Sequence, residues 1–181
     1  MFVQTEITPN PNSLKFIPGK VVSNNGSFEI TKKDQVNNEL VRNLLSINGV
    51  TGIFLGVDFL SVNKEEKIEW EDIKHIVISL INDFYSNGKK FVFDKEIDSK
   101  EEKSNFADIE KKIISILDSK IRPAVAKDGG DIKFKEFKDG IVKVQLQGSC
   151  SGCPSSTMTL KQGVQNLLCH YIPEVKEVIA I

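Results

Sequence analysis

The segment Gly148–Thr157 reads GSCSGCPSST and contains two of the three cysteines of the 181-residue chain. Cys150 and Cys153 are separated by two residues, and a proline follows them at once. The glycine and serine residues around them are typical of a turn, and Pro154 suits the first turn of a helix. The segment therefore predicts a C-x-x-C loop that leads into a helix.

The sequence on either side of this loop predicts a small α+β domain. A helix around Ile113 is expected to end near Pro123, because proline interrupts a helix. The segments DIKFKEF and GIVKVQLQ alternate as strands do, and KDG between them suits a hairpin. After the loop we expect a helix from about Pro154 to His170, and the closing EVKEVIAI is expected to form a strand. The predicted order is α-β-β-α-β, with the cysteines where a strand passes into a helix.

The N-terminal half predicts a second α+β domain. Phe2–Glu6 and Leu14–Ile17 are expected to be strands, separated by the turn-forming TPNPN. Apolar residues at helical spacing predict one helix over Val36–Ile47 and another from about Glu71. Between these helices, VTGIFLGV and DFLSVN are apolar and β-branched enough to be buried strands.

A charged segment separates the two halves. Residues 94–105 read DKEIDSKEEKSN and contain one large apolar residue. Such a segment buries too little surface to offset its ordering entropy, which predicts a linker. The expected organisation is an N-terminal domain over 1–93, the linker over 94–105 and a C-terminal domain over 106–181.

The overall composition narrows the class of protein. The 24 basic and 25 acidic residues nearly cancel, so nucleic acid and anionic membranes are not expected partners. No apolar run approaches the roughly 18 residues that would span a bilayer. The first residues lack the pattern of a signal or transit peptide. We therefore expect a cytoplasmic (bacterial) protein, with a mature mitochondrial matrix protein as the alternative.

The loop predicts thiolate chemistry. At a helix N-terminus, unpaired N–H groups and the helix dipole are expected to lower the pKa of both thiols. Gly148 and Gly152 leave backbone amides open to an anionic group. Two thiols spaced in this way are compatible with an iron–sulfur cluster, with zinc or with a thiol–disulfide redox pair. Metal chemistry of the first two kinds normally takes four ligands, and the loop supplies two.

The other candidate ligands do not complete such a site. Cys169 lies sixteen residues beyond Cys153, about 24 Å along a helix, and is expected opposite the helix's core stripe, which ends at Tyr171. His75 and His170 are expected to be solvated side chains. The missing pair is most simply supplied by a second copy of the chain, related to the first by a two-fold axis.

Two weaker interpretations concern the residues before the first C-terminal strand. Asp128–Asp131 reads DGGD, which we interpret as a tight turn because no histidine or nucleophile accompanies its carboxylates. Lys127, Asp128 and Asp131 are candidates for a docking surface. Arg122 is expected to contact carbonyl groups at the end of its helix.

The motifs resemble a known family. Leu117–Val175, which contains DGGDI, GSCSGCPSST and YIPEV, closely resembles the NifU-like C-terminal domain of iron–sulfur cluster scaffold and carrier proteins. The segments TPNPNSLKFIPGKVV and GVTGIFLGVDFLSVNK, together with Trp70, resemble the N-terminal domain of Nfu-type proteins. The two matches cover nearly the whole chain outside the linker.

The resemblance implies a protein that is not an enzyme. It implies a homodimer that binds a labile [4Fe-4S] cluster, or a [2Fe-2S] form, between its two chains and transfers the cluster to apo-proteins. The implied ligands are Cys150 and Cys153 of each chain. The implied partners are apo iron–sulfur acceptor enzymes and upstream cluster-assembly proteins. A zinc-binding module and a thiol–disulfide redox protein that uses the same two cysteines remain the alternatives.

Overall fold

The computed structural model describes residues 2–24, 26–90, 92 and 107–181. The chain divides into two units, 1–96 and 97–181, and each is an α+β structure. The predicted linker over 94–105 lies outside the described residues. None of the described helices combines the length and hydrophobicity needed to cross a bilayer.

The helices and strands follow in chain order. The first unit contains β1 (Gln4–Ile7), β2 (Ser13–Ile17), β3 (Phe28–Ile30), α1 (Glu39–Leu44), β4 (Val50–Leu55), β5 (Leu60–Lys64) and α2 (Trp70–Ser86). The second contains α3 (Asp108–Ile116), a π-helical turn (Leu117–Ile121), α4 (Arg122–Lys127), β6 (Gly130–Lys138), β7 (Ile141–Gly148), α5 (Pro154–Tyr171) and β8 (Glu177–Ala180).

The N-terminal unit packs its two α-helices against an antiparallel sheet. The strand order is β1-β2-β5-β4-β3, and alternate residues of the inner strands are buried in one core with both helices. The four predicted strands and the stripe of α2 are confirmed. The prediction for α1 was too long. Val36 is buried, but it lies in extended backbone before the helix, and Asn38 caps the first turn of α1. The short β3 was not predicted.

The C-terminal unit has the predicted α-β-β-α-β order around a three-stranded sheet. The strands β6 and β7 form a hairpin, and β8 lies parallel to β7. Asp139 and Gly140 form the hairpin turn with φ of 53° and 84°. Both values lie in the left-handed region that a two-residue hairpin loop requires, and aspartate followed by glycine favours that turn. The core lies between one face of the sheet and the helices.

The first helix of this unit does not end at Pro123, so that prediction was wrong. The helix widens into the π turn over Leu117–Ile121, where the Arg122 N–H donates to the Leu117 carbonyl, five residues back. Pro123 then lies in the first turn of α4, where its missing N–H costs nothing. The chain therefore stays helical to Lys127, and this brings the DGGD segment to the start of β6.

Candidate functional site

The cysteine loop spans five residues between β7 and α5. It begins after Gly148, whose φ of 69° turns the chain out of the sheet, and Gly152 has a φ of 78° just before the helix. The Ser151 N–H donates to the Gly148 carbonyl over 3.2 Å and closes the first turn. The predicted position of the cysteines between a strand and a helix is confirmed. The two glycines occupy conformations that a side chain disfavours.

Cys150 lies on the buried side of the loop. Its residue is 7% exposed and belongs to the hydrophobic core of the unit. The backbone of Gly130 packs directly against it, since a Cβ built on Gly130 would lie 2.8 Å from the Cys150 Sγ and 2.5 Å from the Gln147 carbonyl oxygen. Only glycine fits this approach.

The DGGD segment forms the wall behind Cys150. Gly130 pairs with Gly148 across the β6–β7 ladder, and the Ser149 N–H donates to the Gly129 carbonyl over 3.2 Å. The Ser149 hydroxyl donates to the carbonyl of Asp128. We interpreted DGGD from its sequence as a turn and did not place it beside the cysteines. The available signal was its pair of glycines, which indicates close backbone approach as well as turning.

Arg122 and Asp131 hold this wall in place. The Nε and Nη2 atoms of Arg122 each lie 2.8 Å from a carboxylate oxygen of Asp131, and Asp131 also accepts the N–H of Ile132 over 2.8 Å. Asp118 accepts a further hydrogen bond from Arg122 over 3.1 Å. The expectation that Arg122 contacts helix carbonyls was therefore wrong. Asp131 is 5% exposed, so it is not part of a docking surface.

Cys153 lies on the open side of the loop. It is the N-cap residue of α5, partly exposed, and its carbonyl accepts the Thr157 N–H over 2.9 Å. Its Sγ lies 3.4 Å from the Ser155 Oγ. The Thr157 hydroxyl donates to the Cys150 carbonyl over 3.1 Å and joins the two sides of the loop.

The two thiols differ in acidity, which corrects the expectation that both are activated. Hydrogen bonds from Ser155 and Ser156 lower the pKa of Cys153 to about 7. Burial raises the pKa of Cys150 to about 11, and the nearby carboxylates of Asp128 and Asp131 add to the effect. The serine hydroxyls and then the backbone at the start of α5 thus favour the Cys153 thiolate, and burial in the core opposes ionisation of Cys150.

Comparisons with known proteins identify both units. Residues 3–88 match the family described as scaffold protein Nfu/NifU N terminal, and residues 113–179 match the NifU-like domain. The chain is 44% identical over 180 residues to the mitochondrial NFU1 iron–sulfur cluster scaffold homolog of Homo sapiens. The match covers 98% of this chain and 71% of the human protein. The chain belongs to the Nfu/NifU-like family.

Two further relatives have the same family name. The mitochondrial NifU-like protein 4 of Arabidopsis thaliana is 41% identical over 184 residues, which cover 98% of this chain and 65% of that protein. The chain thus spans about two thirds of the length of these curated relatives. A NifU-like protein of Saccharomyces cerevisiae, solved by NMR, is 29% identical, with a TM-score of 0.48 over 53% of this chain and 87% of its own.

The NifU-like unit carries the candidate ligands Cys150 and Cys153 on one short loop, and the other candidate ligands do not join them in a described metal site. Among the described residues, no group of three or more His, Cys, Asp or Glu side chains is arranged to hold a metal ion. Cys169 packs partly buried against the core, while Tyr171 is 49% exposed, so the predicted stripe was wrong at these two positions. His75 and His170 are exposed, as predicted.

Proposed function

We propose that the chain is an iron–sulfur cluster scaffold that binds a labile [4Fe-4S] cluster between two copies and transfers it to apo-proteins. The observation that carries the proposal is the half-complete ligand set. Cys150 and Cys153 supply two thiols on one loop, and no third donor joins them among the described residues. An iron–sulfur cluster takes four thiolates, so two loops related by a two-fold axis complete it.

The loop fits an anionic, sulfur-rich cargo. The backbone at Gly148 and Gly152 is free of side chains, and the N-terminus of α5 places the positive end of the helix dipole and the backbone hydrogen bonds of Ser155 and Ser156 at the Cys153 sulfur. Hydrogen bonds of this kind to cluster sulfur stabilise the bound state. The human relative is named as a scaffold, and the role proposed for this chain is likewise not enzymatic.

Release of the cluster is proposed to begin on the open side of the loop. A thiolate of the acceptor forms a bond to the iron atom held by Cys153 as the Cys153–iron bond breaks, and the displaced sulfur leaves as a thiolate or takes a proton from water. The exchange involves no oxidation or reduction, because one thiolate ligand replaces another. Repetition at each ligand passes the cluster to apo iron–sulfur enzymes, and upstream assembly proteins load it by the reverse exchange. A [2Fe-2S] form held by the same four thiolates belongs to the same proposal.

The relatives also bear on the compartment. Human and Arabidopsis relatives are named mitochondrial, which favours the mitochondrial matrix over the bacterial cytoplasm that we expected from the sequence. We therefore include a mitochondrial location in the proposal. A fractionation experiment on the source cells tests it, and recovery in the cytosolic fraction alone overturns it.

Anaerobic reconstitution tests the cluster assignment. Iron, sulfide, zinc and oligomeric state are measured for the wild type and for Cys150→Ala, Cys153→Ala and Cys169→Ala. We expect a cluster-bearing dimer for the wild type and for Cys169→Ala, and loss of both cluster and dimer for the other two. Iron retained by Cys150→Ala or Cys153→Ala, or a cluster held by a wild-type monomer, overturns the proposal.

The same experiment separates the alternatives. A zinc-binding module retains zinc and excludes iron under these conditions, with the same two-cysteine dependence. A thiol–disulfide redox protein instead forms a reversible Cys150–Cys153 disulfide and is active without metal. Neither result is expected, because the human relative is named as an iron–sulfur cluster scaffold.

A further inference from the structure

The first half of α5 differs from the second half in its burial. No residue of the range 154–163, PSSTMTLKQG, is fully buried, whereas Val164 and Leu168 in the second half are 1% and 0% exposed. Leu160 packs only partly against the core. The half of the helix next to the cysteine loop therefore leaves more of its surface exposed than the other half, and we refer to residues 154–163 as the projecting half of α5.

Met158 is the large apolar residue on this projecting half. It is 72% exposed, more than Tyr171 or Ile181, the other exposed large apolar residues described in this unit. It lies three residues after Ser155, whose Oγ is 3.4 Å from the Cys153 Sγ. Residues three apart on a helix are neighbours on its surface, so Met158 and the Cys153 thiol belong to one continuous surface.

We propose that Met158 and the projecting half of α5, residues 154–163, form the contact between the two copies that share the cluster. This inference rests on the proposed function and specifies which surface brings the two loops together. A shared cluster requires the two loops to face each other, and the surface beside each loop must then meet its own copy across the two-fold axis.

The low charge of residues 154–163 is compatible with contact between two identical copies of this surface. An isologous contact places like residues near each other, so a charged surface would repel itself. The range 154–163 contains one charged residue, Lys161, whose Nζ lies 4.0 Å from a Glu177 carboxylate oxygen. The remaining residues are small or neutral, and methionine adapts its shape to an opposing surface. The patch is small, which suits a dimer that depends on the cluster for most of its affinity.

Substitution of Met158 by a charged residue tests this surface. Met158→Glu places two carboxylates across the axis, and we expect dimerisation of the reconstituted protein to weaken by roughly tenfold or more, measured by analytical ultracentrifugation under anaerobic conditions. Met158→Leu keeps an apolar side chain and is expected to dimerise as the wild type does. Ile7→Glu makes the same charge change at a 92% exposed residue of the other unit and is the matched control.

Each outcome decides between the two proposals. Suppose that the wild type forms a cluster-bearing dimer and the Met158→Glu variant dimerises as tightly. The proposed contact surface is then overturned, and the cluster assignment stays intact. A wild-type monomer with a cluster overturns the assignment itself. Gln162→Glu, one turn further along the same helix, is a second variant that needs no change at Met158, and we expect it to weaken the dimer by a smaller factor. If Met158→Glu fails to fold, an unweakened Gln162→Glu dimer overturns the surface.

Discussion

The two sides of the cysteine loop are built differently. Cys150 is packed into the core and fixed by the DGGD wall, which the Arg122–Asp131 pair holds in place. Cys153 is the N-cap residue of a helix, is partly exposed, and is hydrogen-bonded by the neighbouring Ser155 and Ser156. One thiol therefore has a fixed position and the other is accessible. A scaffold needs both properties, because it must hold its cargo and also release it.

The largest expected difference between the two sides is in thiol reactivity. In a Cys169→Ser background without cluster, we expect iodoacetamide to modify Cys153 at least about a hundredfold faster than Cys150 near neutral pH, since the thiolate is the nucleophile. The rate of Cys153 modification should rise as the pH passes about 7 and then level off, because the thiol is fully ionised at higher pH. Peptide mass spectrometry over a pH series measures both rates.

Cys153→Ser is the control for this experiment. It should remove the fast reaction and leave the slow one, whose rate is still rising well above neutrality because burial raises the pKa of Cys150 to about 11. Equal rates for the two cysteines, or a fast reaction that survives in Cys153→Ser, would contradict the assigned asymmetry.

The wall behind Cys150 provides the next prediction. Gly130→Ala puts a methyl group within 2.5 Å of a backbone oxygen and 2.8 Å of the Cys150 sulfur, so either β7 or the cysteine must move. We expect the free energy of unfolding to fall by about 1–3 kcal/mol, and the iron content after reconstitution to fall with it. Urea denaturation and iron analysis measure the two effects.

Gly163→Ala is the matched control within the same unit. A Cβ at Gly163 meets nothing within 4 Å, and alanine is the better helix former, so the variant should be up to about 1 kcal/mol more stable than the wild type. If Gly130→Ala proves as stable as Gly163→Ala, the close packing of Gly130 on Cys150 is wrong.

The Arg122–Asp131 pair is expected to contribute less to the free energy of unfolding than the packing of Gly130 does. Arg122→Ala leaves the Asp131 carboxylate buried without its two charge-assisted hydrogen bonds, and we expect a loss of about 1–2 kcal/mol in unfolding free energy, moderated because Arg122 is itself 41% exposed. Lys143→Ala removes an exposed pair with Glu136 and should cost less than about 0.5 kcal/mol. Equal midpoints in urea for the two variants would show that Arg122 does not support the wall.

The sequence predicted the order of the elements around the two cysteines better than it predicted what packs against them. The alternation of β7, the Asp-Gly turn and the C-x-x-C before Pro154 are local signals, so the strand–loop–helix order followed from them. The wall was missed because DGGD reaches the loop through the pairing of β6 with β7. A bulge between Phe134 and Glu136 shifts that register, so the predicted hairpin turn alone does not place Gly130 opposite Gly148.

Two other sequence predictions were wrong for the same kind of reason. Pro123 normally signals a helix end, but a π turn just before it realigns the helix, and the tertiary pairing of Arg122 with Asp131 accompanies that realignment. The thiol acidities were expected to match because both cysteines adjoin the helix N-terminus. Their difference comes from burial of Cys150 in a core assembled from distant segments, and burial is a tertiary property.

The smallest expected effect concerns the hydroxyl beside Cys153. Ser155→Ala removes the Oγ that lies 3.4 Å from the Cys153 Sγ and contributes most to lowering its pKa. The pKa should rise toward the usual thiol value, which slows alkylation of Cys153 near neutral pH by roughly two- to tenfold and leaves Cys150 unchanged. Thr159→Ala, which removes an exposed hydroxyl bound to the Ser155 carbonyl, is the control and should leave both rates alone. An unchanged alkylation profile in Ser155→Ala would mean that the helix N-terminus activates the open thiol without help from the serine.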